Sequence, residues 1–192
     1  MRQIIYSMMV SLDGFIETAQ HGLDWIIIDE ELHTFANEQA RDMGTFLYGR
    51  RLYELMAAYW PTADANPSTP PCMAEFARIW RDKPKVVFSK TLAKVEWNSR
   101  LVRDNITEVI TKLKQEPGRD MSVGGPNIAS TFMRLGFVDE YRLLVNPVVL
   151  GGGTPFFPTL DRRISLRLVE KQTFGAGVVY LRYEEQRRTS SP

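Results

Sequence analysis

Over its first two thirds the chain alternates short β-type runs with segments of helical period, and beyond Gly136 the helical segments stop while the strands continue. Parallel strands need long crossovers, usually helices, whereas antiparallel neighbours need only a turn. The alternation therefore predicts an α/β fold whose sheet is mixed, with an antiparallel C-terminal third. The first run covers residues 4–10 and closes at the Asp13-Gly14 turn signal, after which the chain to Trp25 reads as irregular. Leu32, Phe35, Ala36, Ala40 and Met43 share a helical face that Gly44 ends. A buried strand at 45–48 follows, then a helix from Arg50 carrying Leu52, Leu55, Met56 and Tyr59 and closed by Trp60-Pro61. Residues 61–71, rich in Pro, Ala, Ser and Thr, read as a loop long enough to act as a mobile cover or an arm towards a second subunit. A helix at 73–80, a strand at 86–88, a helix through Ile106, Val109, Ile110 and Leu113, a strand at 121–123 and a helix through Ile128, Phe132 and Leu135 continue the pattern. Strand-like runs at 141–145, 148–150, 164–170 and 178–183 complete it.

A chain of 192 residues with 44% hydrophobic and 24% charged residues supports one buried core. Its net charge of +1 gives no global basic field, so nucleic acid is not an expected partner and any anion must be recognised locally. Cys72 is the single cysteine, which excludes an internal disulfide, and with His21 and His33 it makes a poor metal set. No apolar stretch reaches the length of a membrane span and no leader is evident, so a cytoplasmic protein acting on a small molecule is expected.

Three strand ends carry groups suited to anions. In Ser122-Val123-Gly124-Gly125-Pro126-Asn127-Ile128 a strand meets two glycines and a proline that can open a helix, a junction that presents backbone N–H groups to a phosphate or else simply packs closely. In Tyr48-Gly49-Arg50-Arg51 two arginines sit in the first turn of a helix, where the dipole disfavours cations, so that they face a bound anion or pair with Glu54 or Asp42. Ser89-Lys90-Thr91 offers two hydroxyls and an ammonium after a third strand. Parallel-type strands place their carboxyl ends on one sheet edge, where open α/β sheets bind ligands, and a dinucleotide fits the spread of these groups. No G-x-G-x-x-G is present. Gly151-Gly152-Gly153 follows a strand but precedes Thr154-Pro155-Phe156-Phe157-Pro158, which does not start a helix, so it reads as a turn or bulge.

These motifs resemble the dihydrofolate reductase-like superfamily and, within it, the reductase domain of bacterial riboflavin biosynthesis (RibD C-terminal domain) and its stand-alone relatives. The resemblance rests on Met9-Val10-Ser11-Leu12-Asp13-Gly14-Phe15-Ile16, Gly49-Arg50-Arg51-Leu52-Tyr53-Glu54, Val87-Phe88-Ser89-Lys90-Thr91-Leu92, Val123-Gly124-Gly125-Pro126 and the run from Gly136 to Gly151. It implies a single domain over residues 2–185, a tail at 186–192 frayed from Thr189, and a three-layer α/β/α sandwich with a mostly parallel sheet. It further implies NADPH as cofactor and hydride transfer to a small pyrimidine- or pterin-like heterocycle, as in 5-amino-6-(5-phosphoribosylamino)uracil reductase. By the same resemblance Gly49, Arg50 and Arg51 contact phosphate, and Ser89, Lys90 and Thr91 receive the adenosine 2′-phosphate. Gly124, Gly125, Asn127 and Ile128 border the pyrophosphate, and the backbone of Met9 and Val10 lies beside the nicotinamide.

Proton delivery has three candidates. Asp13 precedes a turn glycine, and Asp29 and Glu30 follow Trp25 with a spacing that resembles the acid of folate reductases, although acidic residues at a helix start also serve as caps. Phe15, Trp25 and Trp60, with Tyr48, are candidate walls for a flat ring, or core. Relative to the family, Leu52 stands where many members have threonine, and Lys90 where folate reductases often have arginine. Asp82-Lys83-Pro84 occupies the region of the arginine that grips the folate tail, which argues against folate itself. The deaminase domain often fused to the riboflavin reductase is absent from this chain, which widens the acceptor to another heterocycle or carbonyl compound. Two other readings follow from the same residues: an NADP(H)-binding module without turnover, and a structural dimerisation protein. Homodimerisation is expected under either the enzymatic or the structural reading, since an open C-terminal strand edge invites pairing.

Overall fold

A computed structural model describes residues 1–186. Its organising element is β1 (Ile4–Ser11), whose side chains alternate between two cores: Tyr6 and Val10 point to one face of the sheet, Ile5 to the other. The strand is buried on both sides, as an interior parallel strand must be. The remaining elements follow in order as β2 (Phe15–Glu17), α1 (Glu30–Asp42), β3 (Thr45–Gly49), α2 (Arg50–Tyr59), α3 (Pro71–Asp82), β4 (Lys85–Phe88), β5 (Ser99–Val102), α4 (Ile106–Gln115), β6 (Met121–Gly124), α5 (Pro126–Arg134), β7 (Glu140–Asn146), β8 (Thr154–Pro155), β9 (Leu166–Thr173) and β10 (Val179–Glu185).

Eight strands form one sheet in the order β5-β4-β3-β6-β1-β7-β10-β9, with β5, β4, β3, β6, β1 and β7 paired in parallel. Helices α4 and α5 cover one face through Ile110, Leu113, Ile128, Ala129, Phe132 and Met133. Helices α1, α2 and α3 cover the other through Ala40, Tyr53 and Trp80. The result is a three-layer α/β/α sandwich around a mixed, mostly parallel sheet. Among the described residues, no helix is long and apolar enough to cross a membrane.

The C-terminal third divides according to its connections. β7 follows helix α5 and runs parallel to β1, in register from Ile5↔Glu140 to Ser11↔Asn146. β10 has no helix before it and runs antiparallel to both β7 and β9. The antiparallel expectation therefore holds for β10 and its neighbours, while the crossover through α5 makes β7 parallel. Residues 148–150 form no strand; Val148 O accepts from Leu12 N–H at 2.8 Å, fastening this segment to the turn after β1.

Two short strands and an edge strand escape the sequence pattern. β2 and β8 pair in a separate two-stranded ribbon, each too short to show a period. β5 is a four-residue edge strand with exposed Arg100 in its middle. Residues 61–71 also differ from expectation. A 3₁₀ helix spans Trp60–Ala65, where Arg81 donates to Pro61 O at 2.9 Å and to both Asp64 oxygens at 2.6 and 2.8 Å. The segment is fastened to α3 of its own chain rather than standing off as a cover or an arm. Of the expected tail at 186–192, residues from 187 onward lie outside the described residues.

Candidate active site

Because β1, β3, β4 and β6 are parallel, their carboxyl ends reach the same edge of the sheet, and the segments that follow them meet there. A cleft of about 500 Å³ is lined by Gly49, Arg50 and Arg51 at the start of α2, Ser89 and Lys90 after β4, and Gly125, Pro126, Asn127 and Ile128 at the start of α5. The two glycine junctions touch. A Cβ built on Gly125 would stand 3.6 Å from Gly49 N, and one on Gly49 would stand 3.4 Å from Ile128 Cγ2. Gly124 has a packing reason as well, because a Cβ there would lie 2.5 Å from Leu52 Cδ2 and 3.2 Å from the Tyr48 ring. Gly125 adopts φ +100°, which a side chain resists. Both sequence readings of this Gly-Gly pair thus have a physical basis at the same place.

The helix starts differ in how their N–H groups are served. α1 is capped by Asp29, whose carboxylate accepts from Leu32 N–H at 2.9 Å. α2 and α5 begin at Gly49 and Gly125, which have no side chain to cap with, and neither has an acidic residue in its first turn. Their leading N–H groups and positive dipole ends face the cleft together. Cations surround them. Arg50 makes only a 3.9 Å contact with Glu54, and Lys90 stands 3.5 Å from Asp104 with both side chains largely exposed. Ser89 Oγ accepts from Thr91 and Leu92 N–H at 3.2 and 3.1 Å, and Arg103 donates to Lys90 O and Ala93 O, so the turn after β4 is held in shape.

Glu17 in β2 was not anticipated from the sequence. Its side chain is buried at the mouth of the cleft, where Arg51 grips it from two nitrogens at 3.0 and 2.7 Å. Thr154 Oγ1 donates to it at 2.6 Å and His21 Nδ1 stands 2.9 Å away. Burial pushes this carboxyl up, but the hydrogen bonds from Arg51, Thr154 and His21 outweigh burial and hold it down at about 2. Arg51 therefore already has an anionic partner within the cleft. The sequence signal was slight: a glutamate ending a three-residue strand, four residues before a histidine.

The proposed acids stand elsewhere. Asp13 is exposed and accepts from Ser11 Oγ at 2.7 Å, Gly151 N at 2.7 Å and Leu150 N at 3.1 Å. These bonds, the Ser11 hydroxyl foremost, lower its carboxyl below the usual range, which suits an anchor for the 150–151 turn better than a proton donor. Asp29 is the α1 cap and Glu30 is exposed beside it. Among the aromatics, Phe15 pairs with Pro155 across the ribbon. Trp25 donates its indole N–H to Gly22 O at 3.2 Å, and Trp60 packs on Phe76 and Tyr59 with ring centroids 4.5 and 5.0 Å apart. None of these six residues lines the cleft, nor do Met9, Val10, Thr91 and Gly124, whereas Met8, Leu52, Thr131 and Thr154 do.

A second cavity of about 210 Å³ lies between α1 and the sheet, on the other face of β1. Phe35, Met56, Phe76, Tyr48 and Leu144 give it apolar walls, while Ser7, Gln39, Ser122, Arg142 and Tyr180 supply polar groups. Met8 and Leu52 line both spaces, so the two meet at the middle of β1 and the first turn of α2.

A sheet in this order, with its cleft at the carboxyl ends of the parallel strands, defines a dihydrofolate reductase-like fold. Residues 2–180 match the RibD C-terminal domain, and the chain belongs to that family. The uncharacterized protein YyaP of Bacillus subtilis (strain 168) is 39% identical over 185 residues, covering 95% of this chain and 94% of that protein. Among solved structures, dihydrofolate reductase from Enterococcus faecalis complexed with NADP(H) superposes with a TM-score of 0.64 at 12% identity, covering 96% of this chain and 97% of that one. A diaminohydroxyphosphoribosylaminopyrimidine deaminase/5-amino-6-(5-phosphoribosylamino)uracil reductase from Thermotoga maritima gives 0.66 at 15% identity, covering 96% of this chain and 57% of that one. At these identities the structural likeness speaks for the fold.

Proposed function

We propose that the protein is an NADPH-dependent reductase that transfers a hydride to a small heterocyclic acceptor, pyrimidine- or pterin-like in character. The observation that carries this reading is the meeting of three anion-suited junctions, Gly49-Arg50-Arg51, Ser89-Lys90 and Gly125-Pro126-Asn127-Ile128, on one cleft. The donor set suits the cofactor: two uncapped helix starts for the bridging phosphates and a turn with a hydroxyl and an ammonium for the additional one. The presence of an NADP(H)-bound reductase and a uracil reductase among proteins of this fold gives further support.

In this reading the N–H groups of Asn127 and Ile128 and the side chain of Arg50 hold the pyrophosphate, with Arg51 shared between it and Glu17. Ser89 and Lys90, with Arg103 behind them, hold the 2′-phosphate. The nicotinamide lies where Met8 joins the two cavities. Bound NADPH supplies the hydride and leaves as NADP⁺, and the acceptor takes up one proton. Since Asp13, Asp29 and Glu30 lie outside the cleft, water reaching its open mouth is assigned the role of carrying that proton. The protein's main contribution is orientation of the acceptor against the cofactor.

The test is thermal unfolding with NADPH, NADH and 2′-phospho-AMP, because a ligand that binds only the native state raises the melting temperature. A rise with NADPH and little with NADH is expected. No rise with any of them at concentrations on the order of a millimolar overturns the reading. A rise without NADPH oxidation across pterin, pyrimidine and quinone acceptors identifies a binding module without turnover.

A further inference from the structure

We propose that His21 is a cofactor-binding residue whose protonated imidazole joins Arg51 in holding the bridging phosphates beside Glu17, so that the dinucleotide binds together with a proton. The choice of ligand rests on the reductase reading; the coupling to a proton rests on the cluster itself. His21 lines the cleft with Glu17, Arg50 and Arg51. Its backbone is left-handed at φ +66°, a conformation that costs free energy in a non-glycine residue and that collects at functional sites. The turn that imposes it is closed by His21 N–H on Thr18 O and Gly22 N–H on Thr18 Oγ1, both at 2.9 Å. His33, the other histidine, packs edge-on against Trp60 and Phe76 and does not line the cleft.

The imidazole stands between a cation and an anion. Its Nδ1 lies 2.9 Å from Glu17 Oε1 and 3.1 Å from Arg51 Nη1, while its Nε2 has no hydrogen-bond partner among the described residues. A neutral ring carries one hydrogen. With that hydrogen on Nε2, the ring turns a lone pair towards the Glu17 carboxylate; with it on Nδ1, the ring turns a lone pair towards the cleft. Only the imidazolium donates at both ends, to Glu17 through Nδ1 and to an anion in the cleft through Nε2. The charge balance asks for the same state. Arg51 already spends both terminal nitrogens on Glu17, so a phosphate arriving there leaves one guanidinium between two anions. Glu17 does not relieve this by taking the proton, because its carboxyl is held at about 2. The other charges are fixed near neutral pH: Arg50 on α2, Lys90 and Arg103 along the cleft, and Asp24 on the loop of His21, whose Oδ1 is 3.1 Å from where a Cβ on Gly22 would stand. β8 and α5 contribute Thr154, Asn127 and Thr131, none of them charged. His21, with its side chain 59% exposed, is the group in the cluster that changes charge between about pH 5 and 8.

The experiment is calorimetric titration of the full chain with NADPH and with inorganic pyrophosphate, from about pH 5.5 to about pH 8.5, in buffers of differing ionisation enthalpy. It uses the wild type, His21→Asn, which suits left-handed backbone, and His21→Lys. The ligand's own phosphates titrate alike for all three proteins, so the comparison isolates residue 21. At the acid end the wild type should bind NADPH about tenfold more tightly than H21N, the effect of one charge-assisted hydrogen bond, and at the alkaline end equally. Near neutrality it should take up on the order of half a proton more per NADPH than H21N, by the reciprocity of linked binding. H21K, charged throughout, should keep the tighter affinity to the alkaline end. A ratio of wild type to H21N that does not change with pH, or equal proton uptake by the two, overturns the inference, and NADPH binding alongside either result leaves the reductase reading standing. Pyrophosphate binding that depends on His21 in this way, in a protein that ignores NADPH, supports the anion site and overturns the reductase reading. Failure of the wild type to bind either ligand overturns both.

Discussion

Replacing each glycine of Gly151-Gly152-Gly153 by alanine in turn separates backbone conformation from steric contact within three consecutive residues. Gly153 lies directly over β2. A Cβ on it would sit 2.0 Å from Glu17 O and 3.1 Å from Glu17 C, and its φ is +142°. The obstruction is main chain that cannot rotate away. Overpacking of this kind costs roughly 1–3 kcal/mol and a non-glycine residue in that backbone region about as much again, so Gly153→Ala is expected to cost about 4 kcal/mol. For a domain of this size each kcal/mol lowers the melting temperature by roughly 2–4 °C, giving a fall on the order of 10 °C. At Gly151 φ is +72° but no atom lies within 4 Å, which leaves only left-handed strain of about 1 kcal/mol. Gly152 has neither restriction, and alanine there should be neutral or stabilising by up to about 1 kcal/mol. Differential scanning calorimetry of the three variants should therefore rank them G152A, G151A, G153A from most to least stable. A melting temperature for G153A equal to that of G152A would refute the reasoning, because it would mean that the ribbon does not lie against this turn.

The carboxyl of Glu17 has a folded-state pKa of about 2, below its ordinary value of 4.5, so its contribution to stability is fully present above pH 4.5 and is lost as the pH falls towards 2. Glu17→Gln should be less stable than the wild type at neutral pH and lose less stability across that acid window, as read by urea unfolding at a series of pH values; parallel curves would contradict the assignment. Lys90→Ala should lower the preference for NADPH over NADH about tenfold with little change in NADH affinity, since an ammonium paired with a phosphate discriminates by its charge-assisted contact. An unchanged preference measured by fluorescence titration would remove Lys90 from the 2′-phosphate site. Asp13→Asn removes the anion that Leu150 and Gly151 N–H groups share, so amide exchange at 150–151 should accelerate while exchange in β1 stays slow. Unchanged exchange at 150–151 would show that the turn stands without it.

The periodicity placed most elements because each buries one face of its own. Leu32, Ala40 and Met43 repeat at helical spacing and all reach a core; the interior strands of the parallel sheet read as continuous apolar runs for the same reason. β5 was missed because an edge strand with an exposed arginine needs no apolar alternation, and β2 and β8 because two or three residues carry no period. At the site, glycine junctions and their neighbouring cations were legible, since the residue types themselves dictate what a strand-to-helix turn can present. Glu17, His21 and Thr154 were not, because they are far apart in sequence or in unpatterned segments and meet only when the β2–β8 ribbon closes.

By itself the sequence determined the α/β class, the helical crossovers that make the interior strands β1, β3, β4 and β6 parallel, and the three strand ends that offer groups to an anion, because local periodicity and turn chemistry depend on near neighbours. Only the tertiary structure decided that Asp13, Asp29 and Glu30 stand outside the cleft, that β7 runs parallel to β1, and that Arg51 is tied to Glu17. Those facts rest on which side chains long-range folding brings within a few ångströms, and the spacing of residues along a chain does not specify that.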